Sequence, residues 1–227
     1  MTKIVEDISF ALNKAKIKKK LMINGQQYKT LFNDMIAEAE EIAKPRAIYQ
    51  EYTVAKKGEE YIVIDGIKFV SKILRKNLDA AERVIVYVLT VGQEIADWAE
   101  NKKDLLLSYW ADEIQKEILN SAASNIYQKL DQLLTLEGKN VSEMNPGSLP
   151  DWPIEEQQKL FSLLGNVRSG IGVELTDSYL MLPSKSVSGI KFPLVSSFEN
   201  CALCQREDCP NRRVPFNPEK FKEMKLV

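Results

Sequence analysis

The chain of 227 residues contains no histidine. This excludes a histidine general base, a histidine metal ligand and any nucleophile activated by an imidazole. An excess of charge of one sign is also missing, since 31 lysine and arginine residues face 32 aspartate and glutamate residues, giving a net charge of −1. A balanced chain has no overall field with which to hold a polyanion, so we expect no nucleic-acid partner.

Long hydrophobic runs are absent as well. No stretch approaches the roughly 18–20 apolar residues that cross a bilayer, and the N-terminus has mixed charge with no apolar targeting segment. We therefore expect a cytoplasmic protein with no membrane contact. The apolar fraction of 44% is close to the globular average, so the chain can bury a real core as one large domain or two small ones.

Periodic patterns divide the chain into helices and strands. Helices are predicted at Ile8–Lys20, Tyr28–Ile42, Val70–Arg75, Glu94–Ala99, Asp104–Glu137 (with a bend or break) and Glu155–Leu164. Strands are predicted at Ala47–Ala55, Tyr61–Ile64, Val84–Thr90, Gly172–Leu175, Tyr179–Leu182 and Ser186–Phe192. The prolines and glycine of Asn140–Pro153 predict an ordered loop without regular structure. Irregular alternation of helices and strands favours an α+β fold.

Two segments carry a resemblance to a known family. They run from Pro146-Gly147 through Trp152-Pro153 to Gln157, and from Met181 to Gly189, where the sequence reads Met-Leu-Pro-Ser-Lys-Ser-Val-Ser-Gly. Over roughly residues 85–200 the chain resembles the activation domain of cobalamin-dependent methionine synthase. The resemblance implies a single C-shaped α+β domain with a twisted antiparallel sheet flanked by helices. We expect a helical segment at 1–45, the domain at 46–200 and a cysteine-containing tail at 201–227 packed on it.

The resemblance also implies a ligand and a partner. In that family the domain binds S-adenosylmethionine and covers the corrinoid, and one electron and the methyl group of the donor restore methylcobalamin. A corrinoid protein that carries cobalamin is therefore the implied partner. The implied ligand-binding residues are Asn145, Pro146, Gly147, Ser148, Lys185 and Ser186. An arginine four residues before the loop glycine grips the donor carboxylate in the family, whereas this chain has Glu143 there, which would repel a carboxylate.

The three cysteines lie close together near the C-terminus. Cys201, Cys204 and Cys209 have the spacing C-x2-C-x4-C. An odd number so closely spaced argues against a disulfide framework. Three interpretations are open: an iron–sulfur cluster with one iron open or ligated from outside, a structural zinc whose fourth ligand is a carboxylate such as Glu207 or Asp208, a water or a partner group, and free thiols.

The sequence thus leads to a stand-alone protein that acts on a corrinoid protein in methyl transfer, by reductive reactivation or by docking. The cysteines, as an iron–sulfur cluster, would deliver the electron. The alternative is a non-enzymatic corrinoid- or metal-binding accessory module with a structural zinc, and a third possibility is a fold used only for protein contacts. No catalytic residue is indicated, because no base stands near the serines of the Met181–Gly189 segment.

Overall fold

The computed structural model describes residues 1–135, 140–194, 198–209 and 212–224. Within these ranges the strands form one antiparallel sheet of seven strands and a separate two-stranded hairpin. The strands are β1 (Lys3–Val5), β2 (Arg46–Lys57), β3 (Tyr61–Ile64), β4 (Ile67–Val70), β5 (Arg83–Thr90), β6 (Asn140–Met144), β7 (Glu174–Leu175), β8 (Met181–Leu182) and β9 (Ser186–Leu194). The helices are α1 (Lys14–Lys20), α2 (Gln26–Ile42), α3 (Lys72–Asn77), α4 (Gln93–Glu100), α5 (Leu105–Leu134), α6 (Gln157–Leu164), α7 (Val167–Ile171) and α8 (Pro218–Glu223). The predicted α+β class is confirmed.

The order of strands in the large sheet is β4-β3-β2-β5-β9-β6, and β1 pairs with the first half of β2. Strand β5 lies between β2 and β9, and all its residues except Arg83 are buried. A strand covered on both faces needs apolar residues at every position, which explains its continuous run of β-branched and apolar side chains. The prediction of a buried central strand at Val84–Thr90 is confirmed.

The two faces of the sheet pack against different helices. Tyr87 and Leu89 point toward α5, in one cluster with Ile126 and Leu130 of that helix. Their neighbours Val86 and Val88 point to the opposite face, in a cluster that includes residues of α3 and α6. Because successive side chains of a strand alternate between faces, every polar residue of β5, β6 and β9 can be assigned to one face by its position. The face toward α5 carries the candidate site.

The predicted loop at Asn140–Pro153 is wrong for its first five residues. Residues Asn140–Met144 form β6, which pairs with β9, and the irregular part begins only at Asn145. The prolines that indicate a loop start at Pro146, and the pairing that makes the preceding residues a strand comes from a segment some 50 residues away.

The predicted helices also differ at their ends. The first begins at Lys14 rather than Ile8, because Asn13 Oδ1 caps it by accepting from the N–H of Lys16. The N-terminal segment 1–45 also contributes strand β1. The long helix is a single element of 30 residues that starts after its cap Asp104, so the predicted break is absent from it, while Glu137 lies outside the described residues. None of the helices in the described ranges is both long and apolar enough to cross a membrane.

Candidate functional site

The loop after β6 is a turn whose backbone N–H groups donate to carbonyls within the same turn. The N–H of Gly147 donates to the carbonyl of Trp152 at 2.8 Å, and the N–H of Ser148 donates to the carbonyl of Asn145 at 3.2 Å. Gly147 has a φ of +78°, and a Cβ at this position would lie 2.8 Å from Ile154 Cδ1. The residue type is therefore dictated by the turn. The backbone N–H groups of Gly147 and Ser148, two of the predicted ligand-binding residues, are therefore already used within the turn.

Asn145 joins this turn to three other segments. Its Nδ2 donates to the carbonyl of Ser188 at 2.9 Å and to the hydroxyl of Tyr87 at 3.2 Å, and its Oδ1 accepts from Asn200 Nδ2 at 3.3 Å. A Cβ on Gly189 would lie 2.7 Å from Asn145 Nδ2, so only glycine leaves room for this side chain. Ser188 and Gly189 of the family-like segment thus help to hold the turn in place.

A cluster of charged and phenolic side chains lies next to Asn145 on the α5 face of the sheet. Glu143 of β6 and Lys191 of β9 are directly opposite each other across the strands. The hydroxyl of Tyr87 donates to Glu143 Oε2 at 3.3 Å and lies 2.9 Å from that of Tyr127. Arg213, from the tail, donates through Nη1 to Glu143 Oε1 at 3.0 Å. We call these five residues the Glu143 cluster.

Burial shifts the protonation of this cluster. Loss of hydration raises the pKa of Tyr87 well above its usual value, and it also raises the pKa of Tyr127, to which the charge of Glu143 adds. Burial disfavours the charge on Arg213, but the hydrogen bond to Glu143 and the charges of Glu143, Glu199 and Cys201 together outweigh it, so the pKa of the guanidinium is raised. Both phenols therefore stay protonated and Arg213 stays charged at neutral pH.

Two ion pairs join helix α5 to Lys185, just before β9, and to Lys191 within β9. Lys191 is only 4% exposed. Its Nζ lies 2.6 Å from Asp131 Oδ1 and 4.3 Å from the ring centroid of Tyr127. Lys185 Nζ lies 2.5 Å from Asp112 Oδ1. The two lysines are about 20 Å apart along the strand, at roughly 3.3 Å per residue. Lys185 and the Glu143 cluster thus belong to two separate places, and the turn lies between them, since Asn145 contacts Ser188.

Lys185 lies at a groove between α4, α5 and the β7–β8 hairpin, which encloses a cavity of about 400 Å³. Small side chains of α4 form part of its wall, and amide and hydroxyl groups face it from α4, α5 and the loop before β9. The groove is lined by Gln93, Ala96, Ala99, Glu100, Ser108, Asp112, Gln115, Glu174, Leu182, Pro183, Ser184 and Lys185. We call this the Lys185 groove.

Ser186, the remaining predicted ligand residue, is used within the fold. Its hydroxyl donates to the carbonyl of Pro183 at 2.7 Å and lies 3.0 Å from Thr90 Oγ1. Thr90 belongs to the central strand and is fully buried. Ser188 is engaged in the same way, donating to Gln157 Oε1 at 2.8 Å. The serines therefore connect β9 to its neighbours.

The tail crosses the free edge of β6 and carries the cysteines with it. The N–H of Phe198 donates to the hydroxyl of Ser142 at 3.1 Å, and Leu203 is buried in the cluster on the α6 face. Cys201, Cys204 and Cys209 are free and partly exposed. The Sγ of Cys201 accepts from the backbone N–H of Arg213 at 3.5 Å. The thiol of Cys201 is therefore adjacent to Arg213 of the Glu143 cluster.

Metal binding at these cysteines stays a prediction. Among the residues that the structure describes, no group of three or more cysteine, aspartate and glutamate side chains is placed to hold a metal ion. The loop instead surrounds a guanidinium, because Arg212 donates to the carbonyls of Cys201 at 3.0 Å and Cys204 at 3.3 Å and also to that of Arg206. The donor types suit an iron–sulfur cluster or zinc, but their arrangement in this structure does not.

Sequence reasoning misses most of the Glu143 cluster. The sequence pattern places Tyr87 in a buried strand and Lys191 at a strand end, and it relates Arg213 only to the surroundings of the cysteines. A signal is present for Tyr127 and Asp131, which are four residues apart and therefore share one face of the long helix. No local pattern links Arg213 to Glu143, which is 70 residues away.

The chain is similar to known proteins in sequence and in fold. Residues 145–209 match the family model described as vitamin B12 dependent methionine synthase, activation domain. A crystal structure of the MetH reactivation domain bound to AdoHcy superimposes with a TM-score of 0.62 at 18% identity, covering 88% of this chain and 80% of that chain. A comparison with curated proteins gives no match.

The family match starts at Asn145 and continues through Cys209, so it includes the cysteines and extends beyond residue 200, the expected end of the resemblance. Glu143 lies just outside it. The structural match extends the likeness in fold to most of the chain. The predicted resemblance to the activation domain of cobalamin-dependent methionine synthase is therefore confirmed.

Proposed function

We propose that this chain is an activation module that binds S-adenosylmethionine and docks over the corrinoid of a corrinoid protein, where it supports reductive methylation. The family match at the turn after β6 and the likeness in fold to a domain that binds AdoHcy support this proposal. The observation that carries it is the guanidinium of Arg213, which lies 3.0 Å from Glu143 Oε1.

Arg213 compensates the negative charge of Glu143, which would otherwise repel the carboxylate of the donor. In the family that the chain resembles, an arginine at the position of Glu143 grips the carboxylate of the methyl donor. Here the tail places a guanidinium beside that position instead, and Lys191 adds a second cation 4.0 Å from Glu143. Arginine binds carboxylates through paired hydrogen bonds, so Arg213 can serve the same purpose from a different part of the chain.

The ammonium group of the donor also has a partner in this region. Asn200 is buried, and its Oδ1 has no hydrogen-bond partner among the described residues. A buried acceptor without a partner is costly, so a ligand that donates to it gains affinity. Carboxylate and ammonium groups of an amino-acid ligand would therefore find complementary groups at Arg213 and Asn200.

The Lys185 groove is the proposed docking face for the corrinoid. A corrin ring is broad and carries amide side chains, which require a flat apolar wall with hydrogen-bonding groups around it. Ala96 and Ala99 provide such a wall, and Gln93 and Gln115 provide amides that can pair with those of the corrinoid. Leu182, 46% exposed, leaves apolar surface at the same groove for a protein partner to cover.

Calorimetry tests the donor site. We expect S-adenosylmethionine to bind the wild type, and Arg213→Gln to weaken binding by about tenfold or more because a charge-assisted pair is lost. Arg206→Gln is the matched control, since Arg206 is an exposed arginine of the same tail. Absence of binding at millimolar donor would remove the donor site from the proposal.

A methylation assay tests the docking face. We expect the protein to accelerate methylation of a Co(II) corrinoid protein when an electron source and S-adenosylmethionine are supplied. Ala96→Trp would fill the groove and abolish this acceleration without changing donor binding. Ala80→Trp places the same side chain at an exposed position outside the groove and serves as its control.

A second candidate function is a non-enzymatic accessory module that uses the same groove as a cap. It is favoured by the position of Arg213 between two carboxylates, because Glu199 Oε2 lies 3.0 Å from Arg213 Nε and Glu143 occupies Nη1. If these partners saturate the guanidinium, corrinoid-protein binding persists and donor binding does not. The calorimetric experiment therefore separates the two functions.

The iron–sulfur cluster or zinc at Cys201, Cys204 and Cys209 has no step assigned to it, since the described residues do not bring three ligands together. Metal analysis and electron paramagnetic resonance of protein purified without oxygen test this prediction. Stoichiometric iron with sulfide would support a cluster, and stoichiometric zinc would support a structural site. Protein free of both metals would exclude them.

A further inference from the structure

We propose that Cys201 and Cys204 are an oxidation site, a thiol pair that closes to a disulfide and thereby releases Arg213 from the sulfur of Cys201. The local geometry of the cysteine loop, its anchoring to the core and the contacts of Arg213 support this proposal. The first two are independent of the proposed function, while an effect on ligand binding rests on it.

The two cysteines lie at the ends of one tight turn. The N–H of Cys204 donates to the carbonyl of Cys201 at 3.3 Å, which is the bond between first and fourth residues of a turn. Such residues have Cα atoms within about 7 Å of each other. A disulfide spans Cα separations of about 4.4–6.8 Å, and the first and fourth side chains of a 3₁₀ turn such as this one eclipse each other, so the pair is within reach of a disulfide. Cys209 lies outside this turn.

The turn itself is firmly held. Leu203, between the two cysteines, is 2% exposed and packs in the core, and Arg212 donates to the carbonyls of both Cys201 and Cys204. The carbonyl of Ala202 accepts from the N–H of Asn217 at 2.8 Å. Because backbone contacts hold the turn, oxidation changes the two side chains and leaves the turn in place.

Arg213 connects the thiol pair to the Glu143 cluster. Its backbone N–H donates to Cys201 Sγ at 3.5 Å, and its guanidinium donates to Glu143 at 3.0 Å. In the proposed disulfide, the sulfur of Cys201 turns toward Cys204 and away from Arg213. The N–H of Arg213 then loses its acceptor, and the residue that faces Glu143 is less well positioned.

The reaction is a thiol–disulfide exchange with a low-molecular-weight disulfide such as oxidised glutathione. The thiolate of one cysteine attacks the disulfide, forming a mixed disulfide and releasing one glutathione thiol. The second cysteine, as its thiolate, attacks the protein sulfur of that mixed disulfide and releases the second glutathione. The two protein thiols lose two electrons and two protons in total, and the oxidant becomes two thiols.

Peptide mapping tests the pairing directly. Trypsin cuts after Lys191 and Arg206, so Cys201 and Cys204 share one peptide and Cys209 lies in the next. After equilibration of the full chain with oxidised glutathione, we expect the first peptide to be two hydrogen atoms lighter and closed to alkylation, with Cys209 alkylated. A disulfide that includes Cys209, an absence of any disulfide, or a metal held by all three thiols would overturn the proposal.

Hydrogen exchange tests the release of Arg213. We expect its backbone amide to exchange severalfold faster in the oxidised chain, because its hydrogen bond to sulfur is lost. Cys204→Ser should abolish this response, whereas Cys209→Ser should retain it. Equal exchange in both redox states of the wild type would refute the link to Arg213, even if the disulfide forms.

The affinity for S-adenosylmethionine is a separate measurement. If the proposed function holds, oxidation should weaken donor binding in the wild type and leave Cys204→Ser unchanged. A chain that shows the disulfide and the faster exchange but binds no donor would contradict the proposed function and leave the thiol pair standing. Equal affinity in both redox states would limit the effect of oxidation to the tail and refute its influence on the ligand site.

Discussion

At the scale of single residues, the phenols of Tyr87 and Tyr127 are groups whose protonation the fold controls. Burial raises the pKa of both. The folded chain therefore keeps protons that the unfolded chain releases above the usual tyrosine pKa of about 10. The free energy of unfolding should be unaffected below about pH 10 and should fall as the pH rises beyond it.

Tyr127→Phe isolates this effect. We expect the variant to lose stability less steeply with pH than the wild type in urea unfolding experiments between about pH 9 and 11, because one group with a raised pKa is gone. Tyr109→Phe removes a half-exposed phenol on the same helix and is the control. An unchanged slope in Tyr127→Phe would show that this phenol is not held protonated by the fold.

Gly147 gives a second test at this scale. Its φ of +78° opposes a side chain, and so does Ile154 Cδ1, which would lie only 2.8 Å from a Cβ at this position. We expect Gly147→Ala to lower the free energy of unfolding by about 2 kcal/mol, from backbone strain plus the contact with Ile154. Gly66→Ala has a similar φ of +79° with open space around it, and should cost only about 1 kcal/mol. Equal losses of unfolding free energy in the two variants would show that the Ile154 side chain moves aside for the new Cβ.

At the scale of elements, Asp151 connects the turn after β6 to α3. Its carboxylate accepts from the hydroxyl of Ser71 and from the N–H groups of Lys72 at 3.2 Å and Ile73 at 3.0 Å. A carboxylate at a helix N-terminus satisfies free N–H groups and interacts favourably with the helix dipole. The proline-rich segment is therefore fixed at its far end by a helix from another part of the chain.

Asp151→Ala should lower the free energy of unfolding by about 1–2 kcal/mol, the usual effect of losing a cap. Urea unfolding measures this loss, and the substitution should also weaken donor binding if the turn positions Asn145. Asp177→Ala removes an exposed carboxylate from another loop and serves as the control. A variant as stable as the wild type would show that Ser71 alone caps α3.

The sequence predicts elements whose pattern is complete within one segment. Strand β5 is recognisable from its apolar run and α5 from its periodicity. Strand β6 is not, because its five residues owe their conformation to pairing with β9. The candidate site follows the same rule: the turn at Gly147 could be predicted, whereas the contact of Arg213 with Glu143 depends on how the tail crosses the sheet edge.

At the scale of the whole molecule, α5 and β9 connect the two parts of the candidate site. Asp112 and Asp131 on the helix pair with Lys185, just before β9, and with Lys191, within it. The Lys185 groove and the Glu143 cluster are thus fixed to one rigid pair of elements. A partner that docks at the groove therefore has a defined position relative to a ligand at the cluster.

The C-terminal tail contacts the outer side of β6, the strand at the edge of the large sheet. In the described chain β6 pairs with β9 on one side, and the tail contacts its other side through Phe198 and Arg213. An uncovered strand edge presents free N–H and C=O groups that pair with other chains.

We expect a chain that ends at Leu194 to self-associate more than the full chain in sedimentation experiments. It should also lose at least about 2 kcal/mol of stability, because Leu203 is gone. Leu203→Ala in the full chain should lose comparable stability without self-association, because the edge stays covered. A truncated chain that sediments like the full one would show that the tail does not protect β6.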